Sequence, residues 1–115
     1  SEVEAAGLRH ARAAAQRYAA TVLLKGRRTI VVHPDGPVRV CTTGTPWLAT
    51  AGAGDVLGGV IGALLAAGLT PYDAASAGAW IHGAAAQLAS RGGPITAGAV
   101  AAALPDAVRT LPPPR

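Results

Sequence analysis

Ala49-Thr50-Ala51-Gly52-Ala53-Gly54-Asp55-Val56-Leu57-Gly58-Gly59 passes from a loop into an apolar helix and sets one carboxylate directly behind a row of small residues. Small residues let the main chain turn tightly and come close to a ligand, and the free N–H groups of a helix start attract anions. An Asp in that first turn cannot hold a phosphate itself, because like charges repel. Its chemical use there is as a base on a hydroxyl that is meeting the phosphate. The competing role is an Asp that only offsets the helix dipole, worth about 0.3–1 kcal/mol. A mere cap needs no bare backbone of the kind Gly52 and Gly54 provide, so the segment points to phosphoryl transfer.

Outward from this segment, the pattern is that of an α/β chain. Downstream, Val56, Val60, Ile61, Leu64 and Leu65 keep helical spacing, which predicts a helix from Gly52 to Ala67 ended by Gly68. Gly58, Gly59 and Gly62 each weaken it by up to roughly 1 kcal/mol relative to Ala, which predicts close packing against a neighbour. Thr70, Pro71 and Asp73 form a capping-box start for a helix reaching Ser90. Gly92-Gly93-Pro94 breaks it, and two helical pieces follow, Thr96–Leu104 and Pro105–Leu111, before a frayed Pro112-Pro113-Pro114 tail. Upstream, Ser1-Glu2-Val3-Glu4 is a second capping box, opening an Ala-rich helix to Ala20 with Arg9, Arg12 and Arg17 on its wet side. Thr21–Lys25 and Thr29–His33 read as strands, the first buried; Pro34-Asp35-Gly36 is a turn, and Val38–Val40 pairs back on the second strand. A helix, a buried strand and a hairpin predict a sheet with an antiparallel edge.

Composition limits the function classes. The chain has 115 residues, half of them hydrophobic, without Phe or Met and rich in Gly, so packing through small side chains is expected. The net charge of +4 suits phosphorylated or nucleotide ligands. Its cations are scattered and lack an aromatic platform, which argues against nucleic acid. The single Cys41 excludes an internal disulfide and fits a cytoplasmic setting, and no secretory signal is visible. The charge-free stretch Val56–Tyr72 is shorter than the roughly 20 residues of a bilayer span and is interrupted at Thr70-Pro71, so it reads as a buried core helix rather than a membrane segment.

Other candidate sites are weaker. Gly52-x-Gly54 does not follow a strand directly, which removes a dinucleotide fingerprint, and no Gly-Lys-Ser/Thr is present for a Walker loop. Lys25-Gly26-Arg27-Arg28-Thr29 is either a basic hairpin turn or a nucleotide contact. His82, in mid-helix, reads as a core histidine, while His10 and His33 read as surface residues and Cys41 as an inert buried thiol. No cluster has metal-ligand spacing, so any Mg²⁺ arrives with nucleotide phosphates.

Four motifs occur in order: Leu24-Lys25-Gly26-x-x-Thr29; Gly44-Thr45-Pro46-x-Leu48-Ala49-Thr50-Ala51-Gly52-x-Gly54-Asp55-Val56-Leu57; Gly68-Leu69-x-Pro71-x-x-Ala74-Ala75; and His82-Gly83-x-Ala85. Together they resemble the NAD(P)H-hydrate dehydratases. The resemblance implies a ribokinase-like three-layer α/β/α fold, of which residues 1–115 form the C-terminal part: late strands, a β-hairpin and C-terminal helices. It implies that ADP or ATP, ADP in most bacterial members, drives removal of water from hydrated NADH or NADPH. The ring hydroxyl is phosphorylated and phosphate is then lost. By the same resemblance Asp55 binds the substrate and activates that hydroxyl, and Ala51, Gly52, Ala53 and Gly54 form the anion hole. Lys25, Gly26, Arg27, Arg28 and Thr29, with Gly54, contact the adenine nucleotide, which brings any Mg²⁺ on its own phosphates. Homotetramers and a fused or separate epimerase domain are also implied. Ala53 stands where the family usually has Ser or Thr, which removes a hydroxyl but keeps the N–H. Thr45 stands where Asn is common. A piece of this length is expected to expose an apolar sheet edge and to be inactive alone. The alternatives are a ribokinase-like kinase of a sugar or vitamin precursor and a non-catalytic nucleotide-binding or interaction fragment.

Overall fold

The computed structural model describes residues 2–26 and 28–112. Its elements are α1 (Glu2–Tyr18), β1 (Val22–Leu24), β2 (Thr29–Val32), β3 (Arg39–Cys41), a 3₁₀ turn at Pro46–Leu48, α2 (Ala53–Ala66), α3 (Pro71–Ser90) and α4 (Ala97–Arg109). The capping box built on Ser1, the end of the Pro112–Pro114 tail and Arg27 lie outside the described residues.

The strands form an antiparallel sheet in the order β1-β2-β3, with Leu23 opposite Val31 and Val31 opposite Arg39. Strand alternation sorts their side chains onto two faces. Val22, Ile30 and Val32 pack with Ala11, Ala15 and Leu8 of α1. Val31 and Arg39 point the other way, where Arg39 donates to Asp73 Oδ1 at 2.8 Å and to Ser76 Oγ at 3.2 Å on α3. The sheet is therefore covered by α1 on one side and α3 on the other, the three layers expected. The first strand departs from its expected burial: Val22 and Leu23 are half-buried and Leu24 is 39% exposed. β1 is an edge strand among the described residues, so one flank and part of its surface stay open.

A second core lies beyond the sheet, where Ile81, Ala85 and Ala86 of α3 meet Val100 and Ala107 of α4, with Val56, Val60 and Leu64 of α2 packed around them. Small residues dominate it. Among the described residues the largest fully buried side chains are Val31, Val32 and Val100, in keeping with the absence of Phe and Met.

Gly68 (φ +102°) separates α2 from α3, and Thr70 caps α3 by accepting from Asp73 N at 3.2 Å. The Asp73 carboxylate is engaged by Arg39 across the layers instead of simply closing the box, because a guanidinium offers a stronger, charge-assisted donor. Pro105 does not divide the last helix. It sits on the exposed side of α4, where the carbonyl its missing N–H leaves free belongs to the exposed Ala101, while Val100, Leu104 and Ala107 pack continuously through it. Nor is α2 a buried core helix: only Ala53 and Leu57 are buried. A Cβ added at Gly58, Gly59 or Gly62 would meet nothing within 4 Å, so the neighbour expected for these glycines is absent among the described residues. The close approach is made from the other side, where a Cβ on Gly78 of α3 would stand 2.7 Å from Ile61 Cγ1. Among the described residues no helix is long and apolar enough to cross a membrane.

Candidate active site

The site lies where the loop after β3, the β1–β2 turn and the start of α2 converge on one stretch of α3. Thr43 Oγ1 donates to Trp80 O at 3.0 Å, and Gln87 Nε2 donates to Gly44 O at 3.1 Å, so the loop is fastened along α3 at two points. Between them Gly83 admits the loop: a Cβ there would stand 2.6 Å from Thr43 O. Gly44 (φ +120°) and Gly52 (φ +86°) adopt left-handed backbone that permits the turns into the 3₁₀ segment and into α2.

These elements enclose a cavity of about 710 Å³, a size that accepts a small organic ligand. Lys25, Gly26 and Thr29 line it from the β1–β2 turn, Thr42, Thr43, Gly44 and Thr45 from the loop, and Leu57, Ala79, His82 and Gly83 from the helices. Lys25 also reaches the start of α2, where its Nζ would lie 3.7 Å from a Cβ placed on Gly54. Asp55 N and Val56 N turn back onto Gly52 O at 3.1 and 3.2 Å, and Ala53 N onto Thr50 O at 3.3 Å. The N–H groups of Ala51, Gly52 and Gly54 find no acceptor among the described residues. An ammonium and a positive helix end thus face each other with their donors unsatisfied among the described residues, an arrangement that favours an anion between them.

Asp55 is exposed in the first turn of α2 and takes no hydrogen bond or ion pair among the described residues. It does not line the cavity, and neither do Ala51, Gly52, Ala53 and Gly54, which form the adjoining ledge. Arg28 is exposed and also off the lining. His82 is buried as a core histidine should be, with 3% exposure, yet it lines the cavity and its Nε2 lies 3.0 Å from Ala53 O. A carbonyl only accepts, so Nε2 carries the proton. Burial pushes the imidazole below its ordinary value, the bond to Ala53 O opposes this, and the charge of Lys25 lowers it further. His33 is not simply a surface residue: Tyr72 stacks on it at 5.4 Å and Thr21 Oγ1 lies 3.2 Å from Nδ1. Cys41 is half-buried against Thr43 Oγ1 at 3.2 Å. Sequence reading took His82 for a core residue and gave neither it, Gly83 nor Thr42–Thr45 a place in the lining of a site. The signal available was a run of hydroxyls leaving a strand towards a Gly-rich helix start.

Residues 3–107 match the sequence profile described as NAD(P)H-hydrate dehydratase. The chain is 50% identical over 94 residues to the ADP-dependent (S)-NAD(P)H-hydrate dehydratase of Neisseria meningitidis serogroup B, covering 82% of this chain and 32% of that protein. It is 47% identical over 95 residues to the bifunctional NAD(P)H-hydrate repair enzyme of Escherichia coli K12, covering 81% of this chain and 18% of the relative. A solved ADP/ATP-dependent NAD(P)H-hydrate dehydratase from Bacillus subtilis, co-crystallised with ATP and Mg²⁺, superimposes with a TM-score of 0.80 at 29% identity, over 88% of this chain and 38% of that one. The chain therefore spans about a third of the length of the Neisseria relative. With the profile matched over nearly its whole length and the fold shared with a solved member, the chain belongs to the NAD(P)H-hydrate dehydratase family.

Proposed function

We propose that these residues form the C-terminal part of a ribokinase-like domain that removes water from hydrated NADH or NADPH at the expense of ADP, or of ATP. The observation that carries this reading is the meeting of Lys25 Nζ with the open N–H groups of the α2 start beside the cavity. The relatives named for this activity, one of them ADP-dependent, support it. Asp55, its carboxylate unengaged among the described residues, accepts the proton of the ring hydroxyl as that oxygen attacks the terminal phosphorus of the nucleotide, whose bridging P–O bond breaks to release AMP from ADP, or ADP from ATP. Ala51, Gly52 and Gly54 offer their N–H groups to the transferring phosphoryl oxygens, and Lys25 balances their charge. The ring C–O bond then breaks, inorganic phosphate leaves, and loss of a proton from the neighbouring carbon restores the double bond of the reduced nicotinamide.

Lys25, Gly26 and Thr29 line the cavity and would meet the nucleotide there, and Arg28 is a further cation of the same segment; Arg27 lies outside the described residues. Among the described residues no group of three His, Cys, Asp or Glu could hold a metal. A Mg²⁺ would be held by the nucleotide's own phosphates, where it supplies charge neutralisation. Homotetrameric assembly, an epimerase domain and a cytoplasmic setting belong to the same proposal.

In the full-length protein, Asp55→Asn is expected to lower turnover by roughly 10²–10⁴-fold, the range typical of a general base, with nucleotide binding retained. Phosphate release and recovery of reduced-nicotinamide absorbance measure it. Unchanged turnover removes Asp55 from catalysis, and a stable phosphorylated product would identify a kinase instead.

A further inference from the structure

The start of α2 has little of its own to hold it. Gly52 offers no side-chain cap, and glycines at 54, 58, 59 and 62 weaken the helix at every turn. What holds it comes from 29 residues away, where His82 Nε2 donates to Ala53 O at 3.0 Å from the buried face of α3. That carbonyl belongs to the same peptide unit as the Gly54 N–H, one of the donors left without an acceptor. A trans peptide is planar, with its C=O and N–H pointing in opposite directions, so fixing one end aims the other. A hydrogen bond accepted at the oxygen also polarises the N–H and strengthens it as a donor.

We infer that His82 is a positioning residue that aims and polarises the Gly54 N–H towards the anion held beside Lys25. This rests on the proposed phosphoryl transfer for its consequence in catalysis, but not for the hydrogen bond itself. Three features keep the imidazole where it works. Gly83 lets the Thr43 main chain press on α3 beside it, Thr43 ties that chain to Trp80 O, and Ala53 is itself buried at 1% exposure. His82 need not touch the substrate for this.

The test uses the full-length protein and two variants: His82→Gln, which keeps a donor near the Nε2 position, and His82→Met, which keeps bulk without a donor. With ADP and hydrated NADH, His82→Met is expected to lose kcat by roughly tenfold to a hundredfold, the scale of a misplaced catalytic group. Its KM for nucleotide should change less than kcat, and His82→Gln should recover most of the loss. The Gly54 amide ¹⁵N shift, which reports the hydrogen bond accepted by the Ala53 carbonyl of the same peptide, should move in His82→Met and stay near the wild-type value in His82→Gln. Equal loss in both variants, or full kcat in His82→Met, overturns the inference, since only volume would then matter. Should His82→Met not fold, the ¹⁵N shifts of wild-type His82 decide: a proton on Nε2 supports the inference, and one on Nδ1 overturns it. Absence of turnover in the wild type would instead overturn the proposed activity, and the Gly54 shift and tautomer measurements would still judge His82.

Discussion

Gly83 and Gly78 lie on the same helix and meet different obstacles. A Cβ on Gly83 would be forced within 2.6 Å of the Thr43 main-chain oxygen, whereas one on Gly78 would press on Ile61 Cγ1 at 2.7 Å with the Ile61 backbone at 3.7 Å. A side chain can shift more readily than a main chain already fastened to Trp80 O. Gly83→Ala is therefore expected to cost the upper part, and Gly78→Ala the lower part, of the roughly 1–3 kcal/mol typical of overpacking. Urea midpoints at unchanged slope measure the difference; equal costs would show that the loop gives as easily as the side chain. At this scale the candidate site was half legible. Gly52, Gly54 and Asp55 announce a bare helix start through their spacing alone, because a helix start is local. The clasp of Thr43 on Gly83, and of His82 on Ala53, joins residues about 30 to 40 positions apart, and nothing local encodes such a meeting.

At the scale of elements, α2 shows how far periodicity reaches. Its apolar spacing correctly predicted a helix, and Val56, Val60 and Leu64 do pack inward. Burial of the glycine face was not realised among the described residues, since Gly58, Gly59 and Gly62 look onto open space. Gly59→Ala is accordingly expected to stabilise the 115-residue chain by up to about 1 kcal/mol, the helix-propensity difference. Thermal melts of the chain and of its variant test this; destabilisation would mean that some surface packs against that face. The last helix teaches the reverse lesson. Pro105 carries a strong local signal for a break, yet α4 runs unbroken because its packed stripe passes on the side of the helix away from Pro105.

For the molecule as a whole, two shifted groups among the described residues contribute to the response to acid. His82 is held below its ordinary 6.5 by burial, with Lys25 adding to the effect and the Ala53 bond opposing it, and Asp73 is held below 3.8 first by its bond to Arg39. In both cases the unfolded chain binds more protons in the window just below the ordinary value, so the contribution is complete above that value and declines as pH falls. Stability is expected to decline as pH drops below 6.5 through His82, and again below 3.8 through Asp73. Urea titrations across this range measure both steps. His82→Gln should abolish the upper one, and its persistence would assign the step to another group.

The chain's own pattern determined its first three helices, its hairpin, its Ala- and Gly-rich packing and the anion-attracting start of α2, because spacing, capping and turn chemistry act over a few residues. Only the tertiary structure decided which face of each element is covered, that β1 is an edge among the described residues, that α4 runs through Pro105, and that α3 fastens the β3 loop and the start of α2 around one cavity. Those outcomes depend on which surfaces meet in space. A single carbonyl such as Ala53 O acquires its partner only once two helices have packed.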